Sequence, residues 1–476
     1  MLVSRAERQV DDVADAAAVG VRRLAATYLL GSLLFCWVAL WNGYPLLYSD
    51  SAAYLDVLAH RHNLPDRPLY YGIFIGLLDG GVTLWPIVAA QALLAVFAVE
   101  RTLAALMPGR SWRWDAAILL LLAMLTSLPW FTGQVMADVF TPLLVLALYL
   151  TAAARDRLPR WSWLALLLLV AVAASTHYTH IALGLGLLLV LAGTALLLRQ
   201  PRRRDLLPAG AAVALAILAI LTANYAARRE VALSPLGSVF LLARLMEYGA
   251  AQDYLAAHCA TEHYRICAYL PELPSKNDDF LWPADSVLAR LGGAEAYRGE
   301  ASVLAPRIIR SEPLRLAVAA AGATLRQLVD FGTGSGLFSY GPEKPYPIYR
   351  MITEFFPRDR ARFMAARQYH DALDFPLVNA VQVPAGFAAL AALAIGLAAA
   401  GIRGDRRLLV FLLAIAAALL GNAFLCGALS SGDARYQSRI MPLAVLAAAI
   451  AWYRLRPARL AMPVIAARRS PAAHSD

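Results

Sequence analysis

The chain is poor in charge and nearly free of lysine. Of its 476 residues only 16% are charged while 60% are hydrophobic, and Lys276 and Lys344 are the only lysines. A water-soluble domain carries about 25% charged residues, so this chain lacks the polar surface to enclose a soluble body of its size. A continuous basic face is also missing. The net charge of +10 is almost all arginine, in short clusters between apolar runs, which excludes a nucleic-acid stripe. What is present instead is a series of apolar runs near or above the ~20 residues that cross a bilayer.

Arg22 and Arg23 precede the run Leu24 to Trp41, and no small-residue cleavage site follows; this reads as a retained anchor helix. Val82 to Leu106 ends at Pro108-Gly109. Residues 115–153 as one helix would be about 58 Å long, about twice the hydrocarbon thickness. They must form a tight hairpin reversing at Pro129, Gly133 and Gln134, and 161–198 does the same at STHYTH (175–180). Further spans lie at 206–225, 381–402, 408–428 and 440–455. The sequence thus predicts an all-α polytopic membrane protein of about ten transmembrane helices with a large, partly helical outer loop. Its parts are a cytoplasmic segment (1–23), helices 1–7 (24–225, with a first outer loop at 44–81), a periplasmic loop (226–380), helices 8–10 (381–455) and a cytoplasmic tail (456–476). Arginine clusters at 110–113, 155–160, 199–204, 403–407 and 454–459 then share one side, which puts both termini in the cytoplasm. The short outer loops hold only Arg61, Arg67, Arg435 and Arg439.

This topology brings five polar features to the non-cytoplasmic face: the first outer loop, the GQVMAD turn (133–138), STHYTH, the 226–380 loop and SSGDARYQSRIMP (430–442). Ionisable groups at membrane depth usually line a cavity or site. Cys259 and Cys267, eight apart on that face, are expected to be bonded, a free pair being the alternative. Cys36 and Cys426 read as packing residues, 314–329 as an interfacial helix, and FGTGSG (331–336) as a flexible glycine loop.

Three motifs carry a resemblance. YSDSAAY (48–54) puts Asp50 just beyond the first span, RPLYY (67–71) continues that loop, and GDARYQSRIMPL (432–443) enters the last helix. The pattern resembles the membrane glycosyltransferase superfamily called GT-C. That resemblance implies an enzyme moving sugar from a polyprenyl-phosphate donor to a glycan, lipid or protein acceptor at the outer membrane face. Asp50 would be the base, with a helix N-cap as its alternative role. Arg67, Arg435 and Arg439 would hold phosphate, or else snorkel at helix ends, and Tyr436 would join them or the aromatic belt. Where many members pair two acids, Asp50 is followed by Ser51 and the next acid is Asp56. A divalent cation (Mg or Mn) therefore stays open, with Asp50, Asp138 and His180 as the available ligands.

Asp56, Gln134, Asp138, His177 and His180 are further polar candidates for the cavity. Asp138 is either a helix cap or a second acid. His177 and His180 share a helical face and could join a metal site with a third ligand, or cap their turn; His60 and His62 read as solvated. The Ala/Arg-rich, nearly lysine-free composition points to a GC-rich bacterial genome, and with the resemblance the expected location is the bacterial inner membrane. Competing classes are a transporter or flippase of a lipid-linked substrate, an outer-face acyl- or phospho-transferase, and a structural protein. The first should show internal repeats, and none is visible.

Overall fold

The structure, a computed structural model, describes residues 2–60, 63–344 and 346–456, without the side chains of 2–19 and 58–60. Arg61, His62, Arg459 and the tail from 457 lie outside the described residues, as does the side chain of His60. Among the described residues the chain is all-helical, with a single isolated parallel bridge between Leu46 and Gln134.

The N-terminal half holds α1 (Leu2–Asn42), α2 (Ser51–His60), α3 (Trp85–Leu106), α4 (Trp112–Leu125), α5 (Phe140–Ala153), α6 (Arg160–Ser175), α7 (Tyr178–Leu197) and α8 (Arg203–Arg228). The next segment holds α9 (Gly237–Glu247), α10 (Asn277–Leu281), α11 (Gly293–Ser311) and α12 (Pro313–Val329), of which α12 packs back on the bundle. The chain returns in α13 (Phe375–Ile402), α14 (Arg406–Ala423), α15 (Ala434–Ser438) and α16 (Pro442–Leu455).

Seven helices among the described residues are long and apolar enough to cross a membrane: Gly20–Asn42, Trp85–Leu106, Tyr178–Leu197, Arg203–Arg228, Phe375–Ile402, Arg406–Ala428 and Ala434–Leu455. Ala137–Ala153 and Arg160–Ser175 are apolar but shorter, and α4 has 14 residues. The two hairpins expected from the sequence therefore supply one full-length arm, because their polar turns and arginine ends use up part of each apolar run. α5 explains why periodicity is silent there. It is apolar on all sides and buried from Phe140 to Ala152, sheathed by α3, α6, α7, α8 and α14, as a helix without a polar face must be. Leu168, Leu189, Leu197, Leu218, Ile395 and Ile402 point outward and exposed, a larger apolar belt than a soluble protein shows.

The long segment after α8 divides in two. Residues from Val239 to Leu316 close around their own core, with Phe280, Tyr297 and Leu304 at its centre and a Cys259–Cys267 disulfide at its edge. Residues 331–366 instead join the core of the helix bundle through Phe331, Tyr340, Ile348 and Phe363. Gln368 ties this second part to the first outer loop, accepting from the Leu47 N–H at 2.9 Å and donating to its carbonyl at 2.6 Å.

At the far end of the bundle, where α1 carries the partly exposed Arg23, an ionic chain otherwise buried runs between helices. Arg23 meets Asp115 at 2.6 Å, Arg110 bridges Asp115 and Glu100, and Arg101 pairs with Glu100. Charges this dry persist only when paired, so the chain pins α1, α3 and α4 together.

Candidate functional site

The five polar features meet at one end of the bundle. A cavity of about 320 Å³ is lined by Asp50 and Arg67 of the first outer loop, His177 and Thr179 at the start of α7, Ser234, Phe240 and Trp282 of the outer segment, Ser430 ahead of α15 and Tyr436 within it. The fifth feature, the GQVMAD turn, stands behind it and supplies Asp138.

The charges form one connected cluster. Asp50 lies 3.3 Å from Arg67 and 3.9 Å from Arg435. Arg435 is also 3.6 Å from Asp138, which receives Arg439 at 2.5 Å. Arg439 is fully buried and completes its contacts with Asn422 at 3.1 Å and the Cys426 sulfur at 3.4 Å. The Arg435 guanidinium sits 3.9 Å over the Tyr48 ring and 4.7 Å over Tyr436, an attraction that strengthens when desolvated. Burial pushes the Tyr48 hydroxyl up, with Arg435 partly opposing it. Burial works against the charge of Arg67, yet Asp50 and Asp66 more than restore it and hold the guanidinium above its ordinary range. Asp50, one-third exposed, and Asp66, which also lines the cavity and takes Arg67 at 2.6 Å, are the cluster's accessible acids, whereas Asp138 is enclosed.

An apolar groove of about 1090 Å³ adjoins this cavity. Its walls are α7, α9, α12 and α14, and Ala182, Leu425 and Leu429 belong to both spaces. A one-turn π-helix, Phe424–Ala428, forms the junction; such a turn often marks a functional position. Arg244 of α9 donates to the Gly427 carbonyl there, and the Tyr248 hydroxyl donates to that of Ala428 at 3.0 Å.

Of the residues expected in the site, Asp50, Arg67, Tyr436 and His177 line the cavity. Arg435 lies just behind Asp50, and among the described residues its Nε and Nη1 make no hydrogen bond. Arg439 is set deeper and reaches the cavity through Asp138 and through the Tyr436 ring, 5.1 Å from its guanidinium. Asp138 is not a free second acid, because both of its oxygens face arginines. Gln134 is buried, with its carbonyl accepting from Gln91 at 2.8 Å, and Asp56 is outside the cavity lining. Asp50, Asp138 and His180 do not fit a metal. His180 donates from Nδ1 to the Ala173 carbonyl at 2.8 Å, and its Nε2 is 2.7 Å from the Thr141 hydroxyl, which leaves no lone pair for a cation. No cluster of three metal-ligating side chains occurs among the described residues.

Two expectations change. Cys426 is a contact of Arg439 as well as a packing residue, since its sulfur faces the guanidinium. FGTGSG is a packed backing: Ser335 donates to Asp433 at 2.7 Å, and Gly336, at φ +73°, lies against the Tyr48 ring. Tyr48, Asn422, Phe240 and Trp282 were not foreseen. Tyr48 alone had a signal, being part of YSDSAAY. Comparison with protein-family models, curated proteins and solved structures gives no match.

Proposed function

We propose that the chain is a membrane glycosyltransferase of the GT-C kind, transferring a sugar from a polyprenyl-phosphate donor to a glycan, lipid or protein acceptor. The observation that carries this reading is the continuity between the apolar groove and the cavity holding Asp50 and Arg67. One ligand with a long apolar tail and an anionic head suits both spaces. Asp50 takes the proton of the acceptor hydroxyl as its oxygen attacks the anomeric carbon. The bond from that carbon to the phosphate breaks, and the phosphate leaves with the electron pair, stabilised by Arg67. Arg435 orients Asp50, and the Asp138–Arg439 pair fixes Arg435. In this reading α4, α5 and α6 join the seven long helices to make ten crossings of a bacterial inner membrane. Both termini lie in the cytoplasm and the cavity opens to the periplasm.

The test is sugar transfer in membranes containing the wild type or Asp50→Asn at equal expression, given a radiolabelled sugar pool and a polyprenyl-phosphate extract, with and without chelator. Transfer should be present in the wild type and lost in the variant. Full transfer by Asp50→Asn would remove its role as base. No transfer by the wild type across a broad donor panel would favour a flippase of a lipid-linked substrate.

A further inference from the structure

His177 stands immediately before α7 with two distinct faces. Its Nδ1 accepts the backbone N–H of Thr179 at 3.2 Å and lies 2.8 Å from the Thr179 hydroxyl. A ring nitrogen that accepts a backbone N–H carries no proton, so in the neutral imidazole the proton is on Nε2. Among the described residues no hydrogen bond reaches that Nε2, and His177 lines the cavity together with Asp50, Arg67 and Tyr436.

A second observation comes from the helix that His177 caps. Ala182, Leu183, Gly186, Leu187 and Val190 of α7 form one wall of the apolar groove. A lipid lying along α7 therefore has its polar end at the helix N-terminus, where the aligned peptide dipoles favour an anion.

We propose that His177 is a fixed, neutral hydrogen-bond donor to the phosphate of the lipid bound along α7, and not a proton acceptor. The inference rests on the function proposed above and adds a residue to its lipid-phosphate site. A base at this position would need a free lone pair. The one on Nδ1 is taken by Thr179, and Nε2 holds the proton. Together with Arg67, the ring gives the phosphate one charged and one neutral donor.

The test uses the full chain in nanodiscs of zwitterionic lipid and measures calorimetric binding of farnesyl phosphate, with farnesol as the control lacking phosphate. His177→Asn keeps an acceptor near Nδ1 for the helix cap but has no donor at the reach of Nε2. His177→Gln places an amide N–H near that reach. Farnesyl phosphate should bind His177→Asn about tenfold more weakly, as expected for a lost hydrogen bond to a charged group. It should bind His177→Gln nearly as well as the wild type, and farnesol should bind all three alike. Thermal melts confirm that the variants are folded. If His177→Asn binds farnesyl phosphate as tightly as the wild type while Arg67→Gln binds it weakly, the phosphate site stands and the role of His177 is refuted. If the folded wild type does not bind farnesyl phosphate, the glycosyltransferase reading and this inference fall together.

Discussion

Replacing Asp138 with Asn changes almost no volume and removes one charge. The wild-type carboxylate is 1% exposed and answers two arginines, of which Arg439 is 0% exposed. Leaving a buried charge without its partner costs about 3–5 kcal/mol. The unfolding entropy of a 476-residue chain, at ~2.1 cal/mol/K per residue, is about 1 kcal/mol/K. Asp138→Asn should therefore melt about 3–5 °C below the wild type in detergent, followed by tryptophan fluorescence. The cycle is completed with Arg439→Gln and with both changes together. Because the double variant buries neither charge of the pair, it should recover much of the loss, and the coupling should far exceed the ~0.5 kcal/mol by which independent sites depart from additivity. Strictly additive losses would refute the idea that Asp138 holds Arg439 electrostatically.

Two further outcomes are expected. Gly336→Ala combines a left-handed backbone, costing about 1–2 kcal/mol for a residue with a Cβ, with overpacking worth about 1–3 kcal/mol against Tyr48. It should lower both stability and sugar transfer, and wild-type behaviour would show that the loop does not hold Tyr48 under Arg435. A topology reporter placed after Leu198 should read cytoplasmic and one near Lys276 outside; the reverse pattern would invert the orientation.

Membrane character, the bonded Cys259–Cys267 pair and the meeting of the five loops were legible in the sequence because each follows from a local property: apolar length, spacing or arginine bias. The roles within the charge cluster were not. Arg435 and Arg439 look equivalent in GDARYQSRIMPL, yet one faces Asp50 and the other is enclosed by Asp138, Asn422 and Cys426. That difference depends on which helices surround α15, and four residues of spacing carry no trace of it. The division of the long outer segment was hidden for a similar reason. Phe331, Tyr340 and Phe363 are ordinary apolar residues whose destination, bundle or outer core, is decided by tertiary packing. α5 concealed its ends because a helix apolar on every side has no period to read.

The Asp138–Arg439 contact joins residues 301 apart, and this separation has a meaning in time. At about 5–20 residues per second, Asp138 is synthesised roughly 15–60 s before its arginine exists. For that interval a carboxylate destined for the protein interior has no counter-charge, and the short apolar helix behind it is a poor candidate to enter lipid alone. Synthesis of the final helix is then the event that settles the earlier one. A chain stopped short of Arg435 would hold the first hairpin as an unfinished intermediate, open to the cell's quality-control proteases.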